Sequence, residues 1–298
     1  MRESDWITRY IAPLVTAPGA ASLCDDVALL AATGATIVTM DTMVQSRHFL
    51  TDDPLETVGR KLVRVNASDV IAKGAEPVEA LLSIAWPSDR TEAEFGALIS
   101  GLAQDLDAFE IALIGGDLVG TDGPLTLTMT LTGRCIIDAP VRRSGGKAGQ
   151  SLLINGEIGW GGLGLQAAKS AGPSDRVERY RIPQISSLAV AKTVANFASA
   201  SMDISDGLLL DVTRLAEASG CGADIQLDDV PVAQASENIE EIIQQCTSGD
   251  DYCVLISANQ DLVVPGFTAI GNLSSQPGLR VTHRGDIVNT PSTLGFEH

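Results

Sequence analysis

Residues 91–117 read TEAEFGALISGLAQDLDAFEIALIGGD, and they predict a helix that leads directly into a strand. Thr91 and Glu94 have the spacing of a capping box, in which each side chain bonds the other residue's backbone amide at a helix N-terminus. The helix is expected to end at Ala108, and the apolar run 111–114 predicts a short strand that ends ahead of Gly-Gly-Asp117. A helix followed at once by a strand indicates an α/β or α+β fold.

The same alternation extends through the first half of the chain. Predicted strands cover 36–40, 78–86 and 125–132, and predicted helices cover 6–15 and 54–74. The run 36–40 reads as buried and as ending at Asp41. Strand 125–132 alternates apolar residues with threonine, so its threonine side faces water or lines the seam of an oligomer.

Composition changes at 140–149, where proline, arginine, glycine and lysine cluster without apolar periodicity. We therefore expect an N-terminal domain at 1–139 and a C-terminal domain at 140–298. The second domain repeats the alternation, with strands at 152–154, 223–227, 252–257 and 267–270, and with helices after the glycine-rich run 156–164, at 184–198 and at 206–219. Both domains are predicted to be α/β or α+β.

Charge and composition exclude several classes of function. The chain has 298 residues, 45% of them hydrophobic, a mean hydropathy of +0.17 and a net charge of −18. Such an acidic protein would repel nucleic acid and anionic membranes, so neither is expected as a partner. Five cysteines without a CxxC pair and three scattered histidines disfavour a zinc site. With no leader or membrane span in the printed sequence, we expect a cytoplasmic protein with reduced thiols.

Aspartates recur next to apolar runs in both halves, where they read as following a strand or helix: Asp25, Asp26, Asp41, Asp69, Asp117, Asp203 and Asp206. Carboxylates collected in loops repel one another unless a cation offsets their charge, and Mg²⁺ prefers oxygen ligands. Several cations in turn indicate a phosphate substrate. The alternative for each residue alone is a turn former, since Asp-Gly and Gly-Gly-Asp are common turn sequences.

Three other features are weak signals. The glycine run 156–164 could cradle phosphate, but its spacing is neither a Walker A motif nor a dinucleotide fingerprint. His48 follows Arg47 and is as well explained as a surface residue. Trp160, between two glycines, is as well explained by packing.

Seven separated motifs resemble thiamine-monophosphate kinase in order and approximate spacing. They are DDVALL at 25–30, MDTMV with His48 and Phe49, VNASDVIAKGA at 65–75, GGD at 115–117, RSG at 143–145, MDISDGL at 202–208 and GDDY at 249–252. The resemblance extends from the N-terminal helix to the final GFEH. Aminoimidazole ribonucleotide synthetase, selenophosphate synthetase and a hydrogenase maturation protein share the scaffold, but they match His48-Phe49 and Gly-Asp-Asp-Tyr252 less well.

The resemblance implies ATP-dependent phosphorylation of thiamine monophosphate to thiamine diphosphate, by direct in-line transfer with several Mg²⁺ ions and without a phosphoenzyme. No catalytic side chain is assigned, because the acceptor phosphate is itself nucleophilic and transfer needs mainly positioning and charge neutralisation. The implied fold is an N-terminal domain with a mixed sheet, which pairs with its twin in a homodimer, and a C-terminal α/β domain, with the ATP site between them.

Site residues follow from the motif positions. The implied magnesium ligands are Asp26, Thr39, Met40, Asp41, Asp69, Asp117, Asp203 and Asp206. Gly116, Asp117, Arg143 and Ser205 are the implied ATP contacts, and His48, Asp250 and Phe296 are the implied contacts to thiamine monophosphate. A cationic thiazolium ring suits an acidic pocket with an aromatic wall, which Asp250 and Phe296 can supply.

Five positions depart from the family pattern: Cys24, Met40, Leu118, Asp250 and Cys253. Cys253 stands where a glutamate is frequent, but none of the five removes a carboxylate ligand, since Asp250 replaces a glutamate and Met40 keeps its backbone carbonyl. Two other functions stay open. A different ATP-dependent synthetase of the superfamily would not need His48 or Asp250, and a catalytically silent protein would bind ATP and Mg²⁺ without turnover.

Overall fold

The computed structural model describes residues 6–17 and 34–296. These residues divide into two compact units, each with its own sheet. The first unit consists of residues up to Val70 and of Glu76–Asp138, and the second of Ile71–Ala75 and the chain from Ala139 onward.

The first unit contains a mixed sheet with the order β1-β4-β2-β3 among its described residues. A helical segment at Ile7–Ile11 and Ala12–Leu14 precedes β1 (Thr36–Val44), α1 (Leu55–Ala72), β2 (Ala75–Pro87), α2 (Glu92–Ala108), β3 (Ala112–Thr121) and β4 (Thr126–Cys135). Strands β1 and β4 are antiparallel, whereas β2 and β3 are parallel because α2 connects them. The predicted capping box is confirmed, since Thr91 and Glu94 bond each other's backbone amides.

One face of this sheet is buried. Its inward residues include Leu82, Ile84, Leu127 and Met129, each 3% exposed or less. Helices α1 and α2 cross closely at Gly59 and Gly101, where a Cβ would strike backbone atoms of the opposite helix. The glycines therefore set the distance between the two helices.

The opposite face of the sheet is open among the described residues. Val38 and Met40 of β1 are 67% and 62% exposed, and Leu81 of β2 and Val119 of β3 are also exposed. The register pairs Val38 with Thr132 and Met40 with Thr130, so the threonines of β4 share this face. The prediction that 36–40 is a buried run is wrong, because alternate residues of β1 point away from the core.

The second unit contains a mixed sheet with the order β11-β10-β7-β9-β5-β8-β6 among its described residues. Its elements are β5 (Ser151–Asn155), α3 (Trp160–Ser170), α4 (Ser174–Arg181), α5 (Leu188–Phe197), β6 (Ala200–Ile204), α6 (Leu208–Ala218), β7 (Gly222–Gln226), α7 (Ile239–Cys246), β8 (Cys253–Ala258), β9 (Thr268–Ser274), β10 (Leu279–His283) and β11 (Asp286–Val288). An apolar core packs α6 and α7 against the sheet. Helices α4 and α7 and strands β6, β10 and β11 have no counterpart in the sequence prediction.

The sequence led us to expect each aspartate at the end of a strand or helix, but four of them lie inside elements. Asp41 is inside β1, Asp69 inside α1, Asp117 inside β3 and Asp203 inside β6. Strand β3 continues through Gly-Gly-Asp because these residues pair with β2 rather than turning. A Cβ at Gly116 would collide with the carbonyl oxygen of Leu82, so the close pairing itself requires glycine there.

No helix among the described residues is long and apolar enough to cross a membrane.

Candidate active site

In the first unit, β1 and α1 bring three of the predicted metal ligands together. Thr39 donates its hydroxyl hydrogen to Asp69 Oδ2 at 2.5 Å, and the Asp41 amide donates to Asn66 Oδ1 at 3.1 Å. Thr39 and Asp41 are alternate residues of a strand, and Asn66 and Asp69 are three apart on a helix, so each pair shares one face. Thr39, Asp41 and Asp69 therefore converge where β1 packs on α1.

Met40 and Asp117 are placed differently. Met40 points to the open face of the sheet. Asp117 of β3 pairs with Ser83 of β2, and both of these residues are exposed. Strands β1 and β3 are the two edges of the sheet, so three spacings of about 4.8 Å separate Asp41 from Asp117 by roughly 14 Å. Among the described residues, no group of three or more His, Cys, Asp or Glu side chains is arranged to hold a metal ion. Asp26 lies outside the described residues.

His48 lies in the turn that follows β1. Its Nδ1 accepts a hydrogen bond from the Val44 amide at 2.9 Å, and Lys61 donates to its carbonyl oxygen. Because Nδ1 is an acceptor, the neutral imidazole carries its proton on Nε2. His48 is therefore held by the turn and is not a loosely placed surface residue.

In the second unit, backbone hydrogen bonds join three loops that carry predicted site residues. The Asp250 amide donates to the Ser205 carbonyl, and the Phe296 amide donates to the Asp206 carbonyl, both at 2.8 Å. Gly249 and Gly295 allow this approach, because a Cβ at either position would meet the Ser205 or Asp206 carbonyl oxygen. Ser205, Asp206, Asp250 and Phe296 are thus assembled at one place.

The Asp250 loop has an unusual backbone. Asp250 and Tyr252 have φ angles of +67° and +53°, the left-handed region that ordinary residues seldom adopt. The Tyr252 hydroxyl donates to Asp250 Oδ1 at 2.8 Å, and the Tyr252 amide donates to the Ile204 carbonyl. Strained residues held by several contacts are typical of binding sites.

Asp251 anchors the same loop to the start of α3. Its carboxylate accepts hydrogen bonds from the amides of Gly159 at 2.8 Å and Gly161 at 3.1 Å. Burial raises the pKa of Asp251 to about 7, and the two amide hydrogen bonds oppose this increase. The glycine run therefore begins a helix whose cap comes from a distant aspartate, and it does not form a phosphate loop of its own.

A cavity of about 410 Å³ opens beside Asp250. Its lining includes Glu157, Trp160, Arg179, Asp250 and Asp251. The Arg179 guanidinium lies 4.7 Å from the centre of the Trp160 ring, and the Trp160 Nε1 donates to Glu157. The cavity thus has an aromatic wall and several carboxylates, although Trp160 supplies this wall and Phe296 is not among its lining residues.

The remaining predicted residues are placed as follows. Asp203 is buried in β6 opposite Val254. Arg143 has an exposed side chain, and its carbonyl accepts the Ser219 hydroxyl hydrogen.

Comparison with known proteins identifies the family. The profile of the AIR synthase related protein N-terminal domain matches residues 24–135, and that of the AIR synthase related protein C-terminal domain matches residues 147–271. A thiamine-monophosphate kinase of Caulobacter vibrioides is 34% identical over 99% of this chain and 90% of its own length. The chain belongs to the thiamine-monophosphate kinase family.

Solved structures agree with membership of the thiamine-monophosphate kinase family. AaThiL complexed with AMPPCP and TMP aligns with a TM-score of 0.77 at 26% identity, covering 87% of this chain and 86% of that one. The hydrogenase maturation protein HypE in complex with ATP aligns with a TM-score of 0.79 at 15% identity, which supports the fold alone. The predicted family, the two-domain α/β fold and the assignment as a kinase are confirmed.

The sequence prediction missed two residues of this site, Asp211 and Arg214. Asp211 is fully buried in α6, and its Oδ2 accepts the amides of Ser205 and Asp206 at 3.1 and 3.0 Å. Arg214, one turn later, donates from one terminal nitrogen to the carboxylates of both Asp206 and Asp211. Burial raises the pKa of Asp211 to about 6. The sequence shows the spacing of Asp206, Asp211 and Arg214. The three side chains meet only because the residues after Gly207 form a helix, which the spacing alone does not reveal.

Proposed function

We propose that this protein transfers the γ-phosphate of ATP to thiamine monophosphate in an Mg²⁺-dependent reaction that yields thiamine diphosphate and ADP. A phosphate oxygen of the acceptor attacks the γ-phosphorus, and the bond from that phosphorus to the ADP oxygen breaks in line with the attack. The observation that carries the proposal is the joining of Ser205, Asp206, Asp250 and Phe296 by backbone hydrogen bonds. Residues proposed for nucleotide, metal and acceptor therefore meet in one assembly.

The donor set fits magnesium. Thr39, Asp41 and Asp69 offer only oxygen atoms, which are the ligands that Mg²⁺ prefers. Bound Mg²⁺ would neutralise charge that develops on the transferring phosphate. Asp206 is the proposed ligand in the second unit, and its partly exposed carboxylate is open to a ligand from solvent.

The cavity beside Asp250 is proposed to take the organic part of thiamine monophosphate. Its volume of about 410 Å³ falls within the range of roughly 300–1,000 Å³ that is usual for small-molecule sites. The carboxylates of Glu157 and Asp250 suit the cationic thiazolium ring, and the Trp160 ring, which already packs against the Arg179 cation, is a surface suited to positive charge. His48, through its Nε2 proton, and Arg143 are proposed as donors to phosphate oxygens.

A second copy of the chain is proposed to complete the metal site. Two carboxylate oxygens that bind the same Mg²⁺ lie no more than about 4 Å apart. Asp41 and Asp117, by contrast, are on opposite edges of the sheet. The open face, with Val38, Met40 and Val119 exposed, is apolar enough to pair with its own copy about a two-fold axis. We propose that in this pair the edge strand β3 of one copy lies beside the edge strand β1 of the other, and that Asp117 reaches Asp41 around that edge, since the Asp41 side chain points to the covered face of β1.

Mixing two inactive variants tests this arrangement. If the site is shared, Asp41→Asn and Asp117→Asn chains that are unfolded and refolded together regain about a quarter of wild-type activity. Half of the randomly formed dimers are then mixed, and each of these has one intact site. If both residues act within one chain, the mixture stays as inactive as its components, and the shared site is wrong.

The reaction itself is tested by ADP release with and without thiamine monophosphate. We expect release that depends on both Mg²⁺ and the acceptor, and little product with thiamine, whose alcohol is a poorer and misplaced nucleophile. Turnover only with another acceptor would favour a different synthetase of the superfamily. ATP binding without any turnover would favour a silent nucleotide-binding protein.

The cytoplasm is the proposed compartment. Cys135, Cys221, Cys246 and Cys253, among the described residues, are free thiols. Free thiols are typical of a reducing compartment.

A further inference from the structure

Arg214 joins two carboxylates that differ in exposure. Its NH1 group donates to Asp206 Oδ2 and, at 3.0 Å, to Asp211 Oδ1. The Asp211 side chain is fully buried, whereas 23% of the Asp206 side chain and 34% of the Arg214 side chain are exposed. A ligand that arrives from solvent can therefore reach Asp206 but not Asp211.

The two carboxylates also have different structural roles. Asp211 Oδ2 accepts the amides of Ser205 and Asp206, so it fixes the backbone of the loop. The Asp206 side chain projects from that loop to the exposed end of Arg214. The loop would thus keep its shape if the contact between Asp206 and Arg214 were broken.

We propose that Arg214 is an exchangeable counter-ion, which neutralises Asp206 while metal is absent and gives Asp206 up to Mg²⁺ when the nucleotide binds. This inference rests on the proposed function, in which Asp206 is a magnesium ligand. Without a cation between them, Asp206 and Asp211 would repel each other, and Arg214 removes that repulsion. After the exchange, NH1 keeps its hydrogen bond to Asp211, so no backbone movement is required.

The alternative is a purely structural ion pair. In that case, losing Arg214 would lower stability equally with and without metal. Exchange instead predicts that the loss of Arg214 lowers stability less when Mg²⁺ is bound, because Arg214 and Mg²⁺ compete for the same carboxylate and either one can neutralise it. Melting temperatures of a variant in the two conditions separate these cases.

The experiment compares wild type, Arg214→Gln and the control Arg280→Gln. Arg280 forms an exposed ion pair with Asp224, which is not a proposed metal ligand. Each protein is melted in EDTA and in saturating Mg²⁺ with a non-hydrolysable ATP analogue. We expect Arg214→Gln to melt roughly 2 °C below wild type in EDTA and by a clearly smaller margin in Mg²⁺ with the analogue, where only the contact to Asp211 is lost. The control should show the same small difference from wild type in both conditions.

Binding of the analogue gives a second readout. At fixed Mg²⁺, calorimetric titration should show about two- to fivefold tighter binding to Arg214→Gln, because a competitor for Asp206 is gone. Arg214→Lys keeps the charge and should follow wild type in both readouts.

Several outcomes overturn the inference. An equal loss of melting temperature with and without metal makes Arg214 a structural residue. Weaker binding of the analogue to Arg214→Gln makes it a nucleotide contact. If wild type itself gains no stability from Mg²⁺ with the analogue, the proposed function fails and the inference fails with it, whereas the first two outcomes leave the proposed function intact.

Discussion

Asp250 allows a substitution that separates charge from backbone strain. At a φ of +67°, alanine would be strained, but asparagine tolerates this region and keeps the shape of the side chain. If Asp250 contacts the acceptor, Asp250→Asn should raise the KM for thiamine monophosphate roughly tenfold, since a charge-assisted contact is worth about 1.5–3 kcal/mol. Steady-state kinetics should show an unchanged KM for ATP.

A matched control for this charge is Asp261→Asn, which alters an exposed aspartate of the same unit. We expect it to leave both KM values unchanged. A similar increase in the KM for ATP and for thiamine monophosphate in Asp250→Asn would contradict a specific acceptor contact.

Asp41 is expected to be essential for turnover but not for folding. Its backbone amide bonds Asn66, and its side chain shares a face of β1 with Thr39, which bonds Asp69, so the substitution would remove a proposed charged magnesium ligand. Asp41→Asn should lower kcat/KM at least about 100-fold, because a lost ligand costs several kcal/mol of transition-state stabilisation. Circular dichroism should match wild type, and wild-type turnover in this variant would exclude the metal assignment.

At the residue scale, the sequence predicted the chemistry better than the geometry. The backbones of Ser205, Asp206, Asp250 and Phe296 are joined by hydrogen bonds although the residues are far apart in the chain, and their role as a binding site stays a prediction. The position of Asp117 across the sheet from Asp41 depends on strand order, which motif spacing does not contain. Asp211 was missed because a single carboxylate inside a helix resembles any other until its hydrogen bonds are known.

At the element scale, helix α3 depends on Asp251 in a way that should vary with pH. The pKa of Asp251 is raised from 3.8 to about 7 in the folded protein by burial. Between these values the folded state keeps a proton that the unfolded chain has lost, so the free energy of unfolding falls as pH rises through this window. Asp251→Asn cannot titrate and should lack this decrease.

Urea unfolding at pH 4.5 and pH 8 measures the difference. From pH 4.5 to pH 8, the free energy of unfolding of wild type should fall by on the order of a few kcal/mol relative to that of Asp251→Asn. A constant difference between the two proteins would mean that Asp251 has a similar pKa in the folded and unfolded chains.

Strand ends were the elements hardest to predict. Strand β3 was expected to end before Gly-Gly-Asp, because this sequence usually favours a turn. Pairing with β2 extends it to Thr121, and the bulge at the shift between Ala80 and Leu81 leaves Ile114 unpaired. Long-range pairing thus overrode local preference, whereas the capping box of α2 was predictable because both of its residues are local.

At the scale of the whole molecule, the open face of the first sheet predicts the oligomeric state. Val38, on the edge strand β1, is 67% exposed on this face, so Val38→Asp would force a carboxylate into the proposed interface of two copies. Light scattering should report a dimer for wild type and a monomer for this variant. Val263→Asp, at a residue 90% exposed in the second unit, should remain a dimer. A monomeric wild type would contradict the proposal.

The separation of β1 and β3 at opposite edges of one sheet also has a kinetic consequence. If a single chain holds only part of each metal site, the rate per milligram of enzyme is not a constant. It should decline on dilution, as pairs dissociate, and recover on concentration, with a midpoint equal to the dissociation constant of the pair. The strand order of one sheet would then set the lowest concentration at which this enzyme can work.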